Sequence, residues 1–106
     1  MRFASALALS ALLAGPALAQ PGAADGAYRQ AIDKMNASTG AAALGGDPDQ
    51  DFIAVMIPAH QGAIDLARAY LAHGHDPELT RLAKSIVANQ SREIEQMKGW
   101  PARRGD

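Results

Sequence analysis

The sequence predicts an all-α protein, a small three-helix bundle, and three observations carry this prediction. Apolar residues recur every three to four positions through three segments of the chain. Asp-Pro pairs and glycines stand at the segment boundaries, where helices begin and end. No segment shows the alternating pattern of a β-strand. We expect two long antiparallel helices, joined by a short turn and preceded by a shorter N-terminal helix.

The first 19 residues have the features of a secretory signal peptide. Arg2 precedes an apolar run over residues 3–14, and the sequence ALA before Gln20 fits a small-x-small cleavage site. The run is too short, and too interrupted by Gly15 and Pro16, for a membrane span of about 20 residues, so a cleaved signal is favoured over the alternative of an uncleaved N-terminal anchor. We therefore expect an exported protein, periplasmic or secreted, with no membrane attachment once residues 1–19 are removed.

The composition of the remaining 87 residues restricts the partners and the sources of stability. Without Arg2, nine of the ten basic residues remain against eleven acidic ones, a net charge of −2. This charge does not favour nucleic acid as a partner. The chain has no cysteine and so no disulfide. Stability must therefore come from packed apolar faces, a partner subunit or a bound ion.

The first helix is expected to be the shortest of the three. Residues 20–24 are small and predict a disordered leader, after which Asp25 can cap the helix. One apolar stripe follows, formed by Tyr28, Ala31, Ile32 and Met35. The pattern fades over residues 37–40.

The second helix is predicted over residues 48–73. Asp47 is its expected N-cap, Pro48 its first residue, and Gly74 follows its end. Apolar residues occupy two stripes, with Phe52, Val55, Met56, Ala63, Ala67 and Tyr70 on one and Ile53, Ile57, Ile64 and Leu71 on the other. A helix that is apolar over this width needs two neighbours.

The third helix repeats the same start, with Asp76 as N-cap and Pro77 at the first position. It runs to about residue 98, where the glycine and proline of KGWP stop it. The helical domain is then predicted over residues 25–100, and residues 101–106 form a short tail.

A cluster of potential ligands follows from the register of the hairpin. The turn between the long helices centres near His75, so residues at equal distances from it lie opposite each other. This register pairs residue 60 with 90, 56 with 94 and 53 with 97. It gathers at one end of the bundle three of the four methionines and one histidine, namely Met35, Met56, His60 and Met97. Gln90 and Glu93 lie beside them.

Two interpretations of this cluster stay open. Thioethers together with an imidazole are ligands for Cu(I), and Met56 and His60 are spaced i, i+4 on one helix face. Pro58 removes a backbone N–H between them, and the resulting kink could open room for a site. Methionine is also a common core filler, and a single histidine can be satisfied by one hydrogen bond, here from Gln90.

Other chemistries are less favoured by the residues. His73 and His75 lie about 20 Å from His60 along the helix, so they form at most a weak separate site. The glutamates lack the Glu-x-x-His spacing of di-iron bundles, and no nucleophile–base pair is visible. We therefore expect no enzymatic activity.

The motifs MIPAHQGAID and DPELTRLA…IEQM resemble the CopM-like family of exported helical proteins, over about residues 28–100. The resemblance implies a ferritin-like helical fold and copper handling in the periplasm, as a metallochaperone or in copper tolerance. It also implies that Met35, Met56, His60 and Met97 occupy ligand-type positions, with other periplasmic copper-handling proteins as partners.

The chain departs from the family pattern at four ligand-type positions. Ala59 stands where the family pattern MIPHHQGAIDMA has its first histidine, and Leu66 where it has its second methionine. In the first helix, Asn36 and Thr39 replace a histidine and a methionine. The remaining set of one histidine and three methionines favours Cu(I) over Cu(II).

Two hypotheses for the function follow. The first is an exported copper-binding protein in which Gln90 or Glu93 orients the imidazole of His60. The second is a metal-free interaction module that dimerises through its apolar faces. A homodimer is compatible with both.

Overall fold

The structure is a computed structural model that describes residues 22–104. It contains the helices α1 (Ala23–Gly40), α2 (Pro48–His73), α3 (Pro77–Lys98) and α4 (Trp100–Arg103), and no strand within the described range. The all-α prediction is confirmed, and the arrangement is consistent with a three-helix bundle. The predicted signal peptide lies outside the described residues.

The two long helices begin where the sequence predicts. The Asp47 carboxylate accepts a hydrogen bond of 3.0 Å from the backbone N–H of Asp49, with Pro48 as the first residue of α2. The Asp76 carboxylate accepts one of 2.9 Å from the backbone N–H of Leu79 at the start of α3. Each cap satisfies an N–H group that the helix itself leaves unpaired.

Helix α1 begins earlier than predicted. Gly22 occupies the N-cap position without a side-chain cap, and Ala23 and Ala24 are already helical rather than disordered. Asp25 is therefore not the cap but lies in the first turn, where it forms an ion pair of 3.0 Å with Arg29. The hydrogen bond and charge of Asp25 raise the pKa of Arg29. Alanine has the highest helix propensity, which favours a start at Ala23 before the acidic residue.

The first residues of the predicted tail lie against the end of α3. Trp100–Arg103 forms α4, so the helical region extends past the predicted boundary at residue 100. The Arg103 guanidinium donates a hydrogen bond of 2.7 Å to the carbonyl of Gln96, one of the last carbonyls of α3. The Arg104 guanidinium lies 5.7 Å from the centre of the Trp100 ring. Arg103 thus satisfies a carbonyl at the end of α3, while Arg104 covers the first residue of α4.

Both connections between the main helices are held by side chains. The Asp51 carboxylate accepts hydrogen bonds of 2.9 and 3.0 Å from two backbone N–H groups of the α1–α2 loop. In this loop Gly46 has a φ of 94°, which favours glycine. In the α2–α3 turn the Tyr70 hydroxyl accepts a hydrogen bond of 3.0 Å from the backbone N–H of Asp76. A Cβ atom at Gly74 would overlap the Tyr70 ring.

Helix α2 lies between α1 and α3 in a single layer. It packs against both neighbours, whereas the backbones of α1 and α3 do not meet in the described part of the chain. The buried apolar residues are small or medium in size, namely Ala31, Ile64, Ala67, Ala83 and Ile94. None of the helices in residues 22–104 is long and apolar enough to span a bilayer.

Candidate functional site

The facing surfaces of α2 and α3 have the register that the turn length predicts. Ile53 of α2 and Met97 of α3 line the same groove, as the predicted pairing requires. His60 of α2 is hydrogen-bonded to Glu93 of α3, which is within one helical turn of the predicted position 90. One histidine and one methionine of the predicted cluster, His60 and Met97, therefore lie on the contact surface between these helices.

His60 is the centre of the candidate site. Its side chain is 17% exposed, and its Nε2 atom lies 2.5 Å from Oε2 of Glu93, whose side chain is 54% exposed. In the tautomer that carries its proton on Nε2, the imidazole donates this hydrogen bond and the Glu93 carboxylate accepts it. In the neutral imidazole Nδ1 is then the nitrogen with a free lone pair. Glu93 thus orients the ring, and in this tautomer the contact leaves Nδ1 available to an ion.

Met56 lies one helical turn before His60 on the same face of α2. Residues spaced i, i+4 have Cβ atoms about 6 Å apart, so both side chains can reach one ion. Met56 is half-buried. Pro58 lies between them in the helix and is also half-buried, and the helix continues through it. The thioether and the imidazole are therefore presented together toward α3.

Met97 is four residues after Glu93, so it lies one turn further along the same face of α3. It is half-buried and lines a groove with Phe52, Ile53 and Trp100 at the end of the α2–α3 pair. Along the axis of α2, Ile53 lies about 10 Å from His60 but only about 5 Å from Met56. Met97 therefore flanks the Met56 side of the site.

Gln90 occupies the same face of α3 as Glu93, three residues earlier. The hydrogen bond to His60 that the sequence assigns to Gln90 is made by Glu93 instead. The Oε1 atom of Gln90 is buried and has no hydrogen-bond partner among residues 22–104. A buried carbonyl oxygen without a partner is uncommon in proteins, and here it lies close in sequence to the ligand candidates.

Met35 lies away from the other members of the predicted cluster. It packs on Gly62 of α2, where an added Cβ atom would come within 2.7 Å of the Met35 Cβ atom. Gly62 is two residues after His60 and is therefore turned about 200° from it around α2. Met35 is thus level with the site along the helix but on the face that meets α1, so the four predicted ligands do not converge on one face.

Gly62 was missed as a structural determinant by the sequence reasoning. A glycine in the middle of a long helix is the signal that could have identified it, because such a residue weakens the helix unless close packing requires it. The buried Gly62 is the point where α1 approaches α2 through Met35.

The remaining histidines are separate from this site. His73 is the last residue of α2 and His75 follows in the turn, and both are exposed. In the part of the chain that the structure describes, no three His, Asp or Glu residues come together as a potential metal site. The donors beside His60 on the facing surfaces of α2 and α3 include Glu93, which contacts it, and Met56, which lies one helical turn before it.

Comparison with known proteins assigns the chain to a family. None of the curated proteins matches the chain. One family matches residues 11–101, which include all of α1, α2 and α3 and the residues of the candidate site. The chain belongs to this family, which is described as Domain of unknown function (DUF305).

Proposed function

We propose that this protein is an exported copper-binding protein, periplasmic or secreted, that holds Cu(I) between α2 and α3 as a metallochaperone or in copper tolerance. The proposed ligands are Met56, His60 and Met97, with Glu93 orienting the imidazole. The resemblance of the MIPAHQGAID motif to the CopM-like family, which implies a ferritin-like fold, supports the same function.

The observation that carries the proposal is the contact between His60 and Glu93. Histidines that bind metals usually donate their second ring N–H to a carboxylate, which fixes the tautomer and raises the basicity of the ligating nitrogen. Here the carboxylate comes from the neighbouring helix at 2.5 Å, and a thioether lies one turn away on the same face as the imidazole.

The donor set fits a soft ion. Thioether sulfur binds Cu(I) well, whereas Ca²⁺ and Mg²⁺ require several oxygen ligands that this surface does not gather. Met35 is excluded from the proposed set because it packs on Gly62 on the other face of α2. The proposed set of ligands is therefore smaller than the four residues that the sequence alone suggests. We expect a single ion per chain.

The departures from the family pattern are consistent with a reduced site. Ala59 is next to His60 and half-buried, where the family pattern has a histidine. Leu66 lines an apolar groove between α2 and α3 with Tyr70 and Ile86. These positions supply packing in this chain in place of additional ligands.

Anaerobic titration with Cu(I) against a competing chelator tests the proposal. We expect about one ion per chain, and a marked loss of affinity in His60→Ala with unchanged helicity by circular dichroism. His75→Ala is the matched control, since it removes an exposed histidine in the turn. Failure of the wild-type protein to compete with the chelator, or equal affinity of His60→Ala and His75→Ala, would contradict the proposal.

A further inference from the structure

The single layer of α1, α2 and α3 has two unlike faces. The grooves on one face are lined by apolar residues together with many charged and polar ones, which include Lys34, Gln61, Asp65, Arg68, Ser91, Glu95 and Lys98. Across this face Lys34 of α1 and Asp65 of α2 form an ion pair of 3.5 Å. We call this surface the charged face, and it is suited to contact with water.

The opposite surface, which we call the apolar face, presents large hydrophobic side chains. A groove of about 310 Å³ is lined only by apolar side chains and Tyr70, namely Ala63, Leu66, Ala67, Tyr70, Leu79, Leu82, Ala83 and Ile86. Leu79 and Leu82 are 47% and 53% exposed. At the other end of the α2–α3 pair Phe52 is 60% exposed and borders a second groove of about 240 Å³.

Helix α1 extends the apolar face. Ile32 is 41% exposed. It lies two residues before Lys34 and is therefore turned about 200° from that residue of the charged face. The exposed large apolar residues of the three main helices thus lie on one side of the layer, and Leu44, in the α1–α2 loop, is outside it.

One layer does not make a complete hydrophobic core. Stable domains pack at least two layers of secondary structure around a core. Small domains bury the smallest fraction of their surface on folding, so an incomplete core costs them most. Here the five buried apolar residues are alanines and isoleucines, and no large side chain in residues 22–104 is fully buried. A second layer on the apolar face would supply the core that the single layer lacks.

We propose that this second layer is another copy of the same chain, packed with its apolar face against the first. The face is about 28 Å long between Phe52 and Tyr70, and three helices with axes 8–10 Å apart make it about 25 Å wide. The resulting area of about 700 Å² per chain approaches the roughly 800 Å² per partner of a stable interface.

The charges on the apolar face also suit a copy of the chain. The groove lined by Phe52 ends in one acidic and one basic residue, Asp49 and Arg103. In a two-fold interface each copy presents the same patch, so exposed leucines beside apolar grooves, together with one acidic and one basic residue, can complement the same features of a second copy. On α3 between the two grooves, Glu93 is already paired with His60.

Light scattering of the metal-free protein, purified after export and kept in chelator, tests the dimer independently of copper. We expect the mass of two chains, and the mass of one chain for Leu82→Glu. The matched control is Leu44→Glu, which places the same charge on an exposed leucine outside the apolar face and should keep the mass of two chains. A dimer that persists in folded Leu82→Glu, or a dimer lost equally in the control, would overturn the proposal.

Trp100 provides a second readout that needs no substitution. It is the single tryptophan of the chain and lines the groove beside Phe52. Its fluorescence should shift to longer wavelength on dilution, at the concentration where the mass falls to one chain. A wild-type protein with the mass of one chain at all concentrations would overturn the proposal. The apolar face would then be covered by the N-terminal segment of the same chain or left uncovered. A different polypeptide that co-purifies with the chain and covers the apolar face would overturn the proposal as well.

Discussion

The imidazole of His60 on α2 and the carboxylate of Glu93 on α3 are joined across the helix pair by a hydrogen bond of 2.5 Å. Thirty-three residues separate them in the chain. If this contact orients a metal ligand, Glu93→Ala should lower the affinity for Cu(I) about 10- to 100-fold, the usual effect of losing such a partner. Chelator competition under anaerobic conditions measures it. Glu95→Ala removes an exposed carboxylate whose ion-pair partner among residues 22–104 is Lys98 at 3.5 Å, and it should leave the affinity unchanged.

Substitution of the methionines should have two different effects on the affinity for Cu(I). Met56→Leu and Met97→Leu keep the volume of the side chain but remove the thioether, so each should weaken Cu(I) binding. Met35→Leu should not, because Met35 packs on Gly62 on the other face of α2. The same titration compares the three variants. A loss of affinity in Met35→Leu equal to the other two would show that α1 contributes a ligand.

Gly62→Ala should destabilise the protein even though alanine is the better helix former. The new Cβ atom would overlap Met35, whose Cβ atom lies 2.7 Å from that position, and overpacking of this kind costs about 1–3 kcal/mol. Gly26→Ala is the matched control, because Gly26 is also helical and has open space around it. It should stabilise the protein by about 0.5–1 kcal/mol. Chemical denaturation measures both free energies.

A double-mutant cycle would assign the effect of Gly62→Ala to its contact. Met35→Ala removes the side chain that the new Cβ atom meets, so Gly62→Ala should cost less in the Met35→Ala background than in the wild type. Equal costs in the two backgrounds would place the effect of Gly62→Ala elsewhere in α2.

Tyr70→Phe should loosen the turn between α2 and α3. The hydroxyl accepts from the backbone N–H of Asp76 at 3.0 Å and donates to the carbonyl of Asp76 at 3.3 Å. Loss of these bonds should lower the free energy of unfolding by about 1 kcal/mol. Tyr28→Phe, at the other tyrosine of the chain, should change it little. An unchanged midpoint of denaturation in Tyr70→Phe would show that the turn is fixed by Asp76 and Gly74 alone.

The register of α2 on α3 at the candidate site was predictable to within about one helical turn, whereas the position of Met35 was not. The turn near His75 fixed the register of α2 on α3, so His60 was expected opposite residue 90 and contacts Glu93. Gln90 and Glu93 lie three residues apart on one face, about 4.5 Å along the axis. That separation is smaller than the precision of a register read from loop length, so the sequence could name both residues but could not choose between them.

The sequence by itself determined where α2 and α3 begin, because their caps are local. Asp47 and Asp49 are two residues apart, and Asp76 and Leu79 are three apart, so each cap needs only its own segment. The sequence did not determine which side of α2 receives α1, since α2 carries apolar residues on two stripes. The tertiary structure decided it at Gly62, because only there can Met35 approach the backbone closely. That packing separates Met35 from His60 and leaves one apolar face of the layer exposed.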